Sequence, residues 1–236
     1  MVDETDVRPE LKWLGEEQAR LVVANLERKN ISAWYFPDRK EAREFILSLI
    51  PPGVVVARGD SMSMEQVGVV EELIKRGQNK FLDPFKRDEQ GNWFYPLEER
   101  ERLERETFFA DIFLVGANAI TLDGKLVNVD GHGNRVAALI FGPRKVIVAA
   151  GVNKIVPDEE AARERIRRIC APVNARRHYT KHHREDYKDL PCVLTGRCAN
   201  CNHPWRLCRY TMIVEGTMLR EKGRINVVLV GEELGI

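Results

Sequence analysis

No stretch of this sequence approaches the roughly 18 consecutive apolar residues that a bilayer-spanning helix needs. The amino terminus, MVDETDVRPE, is acidic and polar and has none of the marks of a secretory leader. The expected compartment is therefore the cytoplasm. An excess of one charge is missing too: 37 basic residues against 36 acidic ones leave a net +1. That balance gives no electrostatic ground for binding nucleic acid or an anionic membrane. There is no internal repeat and no low-complexity linker. Cysteine is scarce, five in 236 residues, yet four of the five fall within residues 192–208. In a reducing compartment such crowding favours a metal site over a disulfide framework.

What is present describes an ordinary globular chain, 44% hydrophobic and 31% charged. Residues 1–236 are expected to form a single α/β domain with an N-terminal helix in 1–30 and a basic, cysteine-rich insertion in 170–210. Apolar spacing predicts helices over 9–29, 39–50, 64–75, 97–109 and 157–169. Apolar runs predict strands over 31–36, 54–57, 80–83, 112–115, 145–149 and 224–230. These runs are continuous rather than alternating, which suits strands buried on both faces. The fold class is thus α/β, an open, mostly parallel sheet with helices on both faces. Residues 170–191 show no clear periodicity and read as a long ordered excursion.

The stretch 110–156 organises the rest. Two core strands flank a segment rich in small and hydrogen-bonding residues, with Asn118, Asp123, Asp130, His132, Gly133, Asn134 and Arg135 among them. Such a segment suggests a ligand-facing loop at the strands' carboxyl ends. The competing reading is turns alone, since Asp-Gly occurs twice and 126–129 could be a hairpin strand. A second junction, Arg58-Gly59-Asp60-Ser61, joins a strand to a helix for which Ser63 and Gln66 resemble a capping box. It could cradle an anion or simply cap the helix, and it lacks the glycine pattern of a P-loop or dinucleotide fingerprint. Asn153 and Lys154 follow the second core strand and complete the candidate ligand-binding set.

Cys192, Cys198, Cys201 and Cys208 stand in PCVLTGRCANCNHPWRLC. Two thiolates at x-x spacing can turn inward on one metal, and four suit an iron–sulfur cluster or, as the alternative, zinc. The spacing matches neither a paired zinc ribbon nor the common ferredoxin run. A redox disulfide between Cys198 and Cys201, or four packed thiols, are the plainer readings. His203 could add a ligand, and His178, His182 and His183 lie upstream. Cys170 reads as a core residue.

The central block, with Gly116-Ala117-Asn118-Ala119-Ile120-Thr121, Asp123-Gly124, Gly133-Asn134-Arg135, Gly142-Pro143 and Asn153-Lys154, resembles the LUD-domain family of lactate utilization proteins. The segments GRCANC and RINVVLVGEELG resemble it as well, so the likeness spans roughly 15–236. It implies a fold of the sugar-phosphate isomerase and CoA-transferase type. It also implies a place in a bacterial or archaeal L-lactate oxidation system whose partner subunits carry iron–sulfur clusters. A more distant likeness is to methylthioribose-phosphate isomerases, where an aspartate stands in place of Asn118. An amide does not exchange a proton as a carboxylate does. No glutamate occurs in 110–156 to serve as a CoA-transferase nucleophile.

Three functions follow as expectations. One is a subunit acting in lactate oxidation, in which Asn118, Asn134, Arg135 and the 58–61 loop hold a small anionic ligand. Another is a stand-alone enzyme on a sugar phosphate or acyl-CoA, with Asp123, Asp130 or His132 as acid–base. The third is an assembly protein without catalysis. A homo-oligomer is compatible with each.

Overall fold

The structure is a computed structural model that describes residues 4–236. The chain enters through α1 (Arg8–Arg28), which turns Ala19, Val22 and Leu26 inward, and passes into β1 (Ser32–Phe36). The carboxylate of Asp38 then accepts from the N–H groups of Lys40 and Glu41 at 2.8 and 2.9 Å. That satisfies the open first turn of α2 (Arg39–Ser48). After β2 (Val55–Arg58), where one helix over 64–75 is expected, there are two. α3 (Met62–Val67) and α4 (Val69–Arg76) are separated by Gly68, whose φ of +84° breaks the first helix. Ser61, not Ser63, caps α3, accepting from Met64 N–H at 3.4 Å; Ser63 is fully buried and points elsewhere.

β3 (Lys80–Leu82) and the charged helix α5 (Leu97–Glu106) lead to β4 (Ile112–Gly116). A hairpin of β5 (Ala119–Thr121) and β6 (Leu126–Asp130) follows, closed at Asp123-Gly124 with Gly124 at φ +80°. Turn chemistry therefore accounts for that half of the segment. Then come α6 (Asn134–Phe141), β7 (Lys145–Gly151), the short β8 (Ile155–Val156) and α7 (Glu159–Arg165).

The helix does not stop near 169. A π turn, Ile166–Cys170, carries it into α8 (Ala171–Lys181). Pro172 explains both the widened turn and the lost periodicity. Its ring clashes with the carbonyl one turn back in a regular α-helix and it offers no N–H, so the ladder loosens just before it. A short helix, α9 (Pro191–Thr195), and the strands β9 (Tyr210–Val214) and β10 (Ile225–Val230) complete the chain. Among the described residues no helix is long and apolar enough to cross a membrane.

Six strands form one parallel sheet in the order β1-β10-β7-β4-β2-β3. Side chains alternate between its faces. Phe113 and Val115 of β4, with Val146 and Val148 of β7, meet α1 and α6 on one side. Ile112, Leu114 and Ile147 meet α2, α3 and α4 on the other. Both faces are covered, which is why the strands carry no polar alternation. A second sheet, β8-β5-β6-β9, sits beyond the carboxyl ends of β4 and β7, from which β5 and β8 emerge. Phe113 is 1% exposed at the centre of the larger core. Phe113→Ala is expected to cost about 3–5 kcal/mol, read as a lower denaturant midpoint at unchanged slope.

Candidate functional site

Because the sheet is parallel, the ends of β2, β4 and β7 open on one side. There a cleft of about 820 Å³ lies between the main sheet, the second sheet, α5 and α8. Its size falls within the range of small-molecule sites. Six of the expected ligand-binding residues line it: Asp60, Ser61, Asn118, Asn134, Arg135 and Lys154. Four do not. Arg58 is buried in ion pairs with Asp83, at 2.7 Å, and Glu65, and so ties the end of β2 to its neighbours. At Gly59 a Cβ would stand 3.2 Å from Arg135 Cγ, so its role is close backbone approach. Gly133 starts α6 at φ +91°. Asn153 accepts from Leu234 N–H through its side chain.

Arg135 lines the wall, but its donors are already engaged. It donates to the side-chain oxygens of Asn128 and Asn118 at 2.9 and 3.1 Å, to Val129 O at 2.6 Å and to the Asp130 carboxylate at 3.3 Å. It therefore braces the wall instead of offering the guanidinium fork that its sequence context suggests. Asn118 is held the same way, its side-chain oxygen accepting from Val129 N–H at 2.9 Å. Among the three candidate acid–base residues, Asp123 lies on the outer hairpin turn beside Thr121, Lys29 and Lys125. Asp130 and His132 do line the cleft. Asp130 accepts from the N–H groups of His132 and Gly133 at 3.0 and 3.1 Å, a turn-closing role. The His132 ring reaches Glu104 at 3.6 Å.

The free charge is at the floor. Lys154 is 4% exposed, and its ammonium donates to Ser63 Oγ at 2.9 Å. Among the described residues it has no carboxylate partner. Burial, joined by the guanidinium groups of Arg165 and Arg135, pushes its pKa down to about 7, with only Cys170 pulling the other way. Glycines keep the space open: a Cβ at Gly235 would stand 2.8 Å from Lys154 Nζ, and one at Gly116 would stand 2.8 Å from Ser61 Oγ. Arg165 anchors the floor by donating to Asn118 O and to Cys170 Sγ at 2.8 and 2.9 Å. Cys170 packs in the core as expected, yet it also lines the cleft.

The rim holds groups that sequence reasoning missed. Arg100 and Glu104 belong to α5, whose mixed charges read as a solvated face; Leu97, Arg100, Glu101 and Glu104 form one helical stripe that lines the cleft. Arg100 lies 4.0 Å over the Trp93 ring, and its Nε is buried without an acceptor. Burial raises the pKa of Glu104, against the pull of His132 and Arg100. On α8, Arg177 donates to Asp60 at 2.6 Å. Burial drives the Asp60 carboxyl up, but Arg177, His178 and Arg58 override it and hold the acid below its ordinary value. Burial and the neighbouring arginines push His178 down to about 3 and His182 to about 4, so this adjoining pair, its rings tilted 58° to each other, is uncharged at neutral pH.

The cysteine segment folds beside the cleft on a small core of Ala175, Tyr187 and Leu190. Cys192, Cys198, Cys201 and Cys208 all border one cavity of about 20 Å³, together with Leu190, Leu207 and Arg206. The thiols are unlinked. Burial raises the Cys192 pKa, and the other three sulfurs add to it. Arg206 donates to Cys208 Sγ at 3.2 Å. The donors are the right kind and face one space. Even so, among the described residues no three His, Cys, Asp or Glu side chains are placed as they would hold a metal ion. His203 turns its Nδ1 to Trp205 N–H, and His178 belongs to the cleft. Arg206, Leu207 and Cys208 border both cavities.

Comparison with known proteins gives one family and one fold. Residues 19–230 match the family model described as the LUD domain. No curated protein matches the chain. A crystal structure of a DUF162 family protein from Deinococcus radiodurans is similar, with a TM-score of 0.51 at 14% identity, covering 92% of this chain and 98% of that one. At that identity the likeness shows the fold alone.

Proposed function

From the premise that this chain belongs to the LUD domain family, which is associated with lactate utilization, we propose that it binds a small organic anion in the cleft at the carboxyl ends of its parallel strands. The observation that supports this reading is the buried Lys154 at the cleft floor, which has no carboxylate partner among the described residues, with Arg100 at the rim, whose Nε is buried without an acceptor although Glu104 and Glu101 stand near its charge. Burying an ammonium with only a hydroxyl for company is unfavourable unless something else enters with the opposite charge. A carboxylate or phosphate supplies that charge. The family's association with lactate utilization supports L-lactate or a close analogue as the ligand and iron–sulfur subunits of a lactate oxidation system as the partners. In solution, L-lactate and inorganic phosphate are each tested for a ligand-dependent rise in melting temperature. A rise that disappears in Arg100→Met supports the reading, and no rise with any carboxylate or phosphate sinks it.

The second element is a thiolate-held metal. Cys192, Cys198, Cys201 and Cys208 would hold it, and in this position it serves to fix the segment that walls the cleft. Their shared cavity, at about 20 Å³, is close to the space one water-sized body needs, which favours a single zinc ion over an iron–sulfur cluster. Anaerobically purified protein is expected to carry one zinc per chain that is lost in the double variant Cys198→Ser/Cys201→Ser. Iron with equimolar sulfide would replace zinc by the cluster, and metal-free protein would leave only the packed thiols.

A further inference from the structure

We infer that Lys154 is a nucleophile, and that its amine forms an imine with a small carbonyl acid of the 2-oxo carboxylate type bound in this cleft. The inference rests on the anion-binding reading above and names the class of ligand. Nζ sits on the cleft floor, and among the described residues its hydrogen-bond partner is the Ser63 hydroxyl. Among the described residues no carboxylate pairs with it to hold it as an ammonium, and the guanidinium groups of Arg165 and Arg135 oppose its charge. A lysine desolvated beside other cationic groups keeps its lone pair at neutral pH and becomes reactive toward carbonyl carbon. Room for the carbon skeleton exists, because Gly116 and Gly235 place no side chain where a Cβ would meet Ser61, Ser63 or Lys154.

The step balances without an oxidant or reductant. The Nζ lone pair adds to the carbonyl carbon, and the new C–N bond leaves a positive nitrogen and a negative oxygen. A proton passes from nitrogen to oxygen to give a carbinolamine, with the Ser63 hydroxyl, already in contact with Nζ, as the relay. A second proton, drawn from solvent water in the open cleft, is taken up by that oxygen, which leaves as water while the nitrogen lone pair forms the C=N bond. The product is a protonated imine, a fixed cation beside two guanidinium groups. The carboxylates of the cleft, Asp60, Glu104 and Asp130 among them, stand outside ion-pair reach of Nζ, so a carboxylate carried by the ligand itself is the one placed to offset the imine's charge. A carboxylate adjacent to the carbonyl does so, which is the reason for the 2-oxo acid class.

Reductive trapping tests the inference on the intact chain. The protein is incubated at neutral pH with cyanoborohydride and either pyruvate or glyoxylate, and the modified peptides are mapped by mass spectrometry. The expected result is one adduct per chain, heavier by the ligand less one oxygen atom, on the peptide carrying Lys154. The neutral control propionaldehyde is expected to label exposed Lys12 and Lys40 instead. Lys154→Arg, verified as folded by its melting transition, is expected to lose the adduct. Trapping only on exposed lysines, or none, overturns the inference, and so does labelling of Lys154 that persists equally in urea-unfolded protein. A lactate-induced thermal shift, which needs no carbonyl, stands or falls separately and reports on the anion reading by itself.

Discussion

Replacing Lys154 by methionine is expected to stabilise the protein while removing its ligand response. The lysine is buried with a lowered pKa of about 7, against 10.5 for a free side chain. Below pH 7 the group is protonated in both folded and unfolded chains, and the folded state bears the full cost of a desolvated ammonium. Between pH 7 and 10.5 the unfolded chain holds the proton and the folded one does not, so wild-type stability rises with pH across that window. Above it the penalty is gone. At 1.36 kcal/mol per pKa unit the deficit is on the order of 4–5 kcal/mol at neutral pH. Methionine fills similar space without charge. Denaturant unfolding of both proteins from pH 6 to 10.5 checks this. The two curves should converge as pH rises, and a variant less stable than wild type at pH 7 would show that Lys154 is well compensated after all.

Arg135→Met is expected to act in the opposite direction. It strips donors from Asn118, Asn128, Asp130 and the Val129 carbonyl in one substitution. Each of these acceptors is at least partly shielded, and a charged donor's hydrogen bond is worth about 1.5–3 kcal/mol. Because the acceptors share one donor, their losses do not simply add, and a net cost of about 3–5 kcal/mol is expected. The measurement also separates two roles. A brace loses melting temperature first, and the ligand-induced thermal shift persists at temperatures where the variant is still folded. An anion-binding arginine instead loses the shift with little change in stability. The latter outcome would return Arg135 to the ligand set.

These two residues show how far the sequence carries. The strands at 112–115, 145–149 and 224–230 were legible because a parallel strand covered on both faces must be apolar throughout, and such runs stand out. A cap such as that of Asp38 is local by nature, because the carboxylate's partners are its own chain neighbours. Lys154 could be placed at the cleft by its position after a core strand, but its lack of a carboxylate partner among the described residues could not be read. That depends on Arg165 and Ser63, which only folding brings to it. Arg135 could be placed at the cleft, but the hydrogen bonds that engage its guanidinium could not be read, because they go to acceptors brought together only by folding. Arg100 and Glu104 were hidden inside a charged helix whose inner stripe is polar because it faces a cleft. The four cysteines were visible as a cluster, and their common cavity follows from the small core around Tyr187 and Leu190.

The π turn before Pro172 has one more consequence. It inserts a surplus residue into a rod that runs from Glu159 to Lys181, with Arg165 and Cys170 at one end and Arg177 and His178 at the other. Tightening that turn to an ordinary spiral would swing the far end by roughly 100° about the axis. Arg177 would then leave Asp60, and the His178 ring would turn away from the opening. The compass bearing of everything this last long rod delivers is thus set by a single imperfection in its winding.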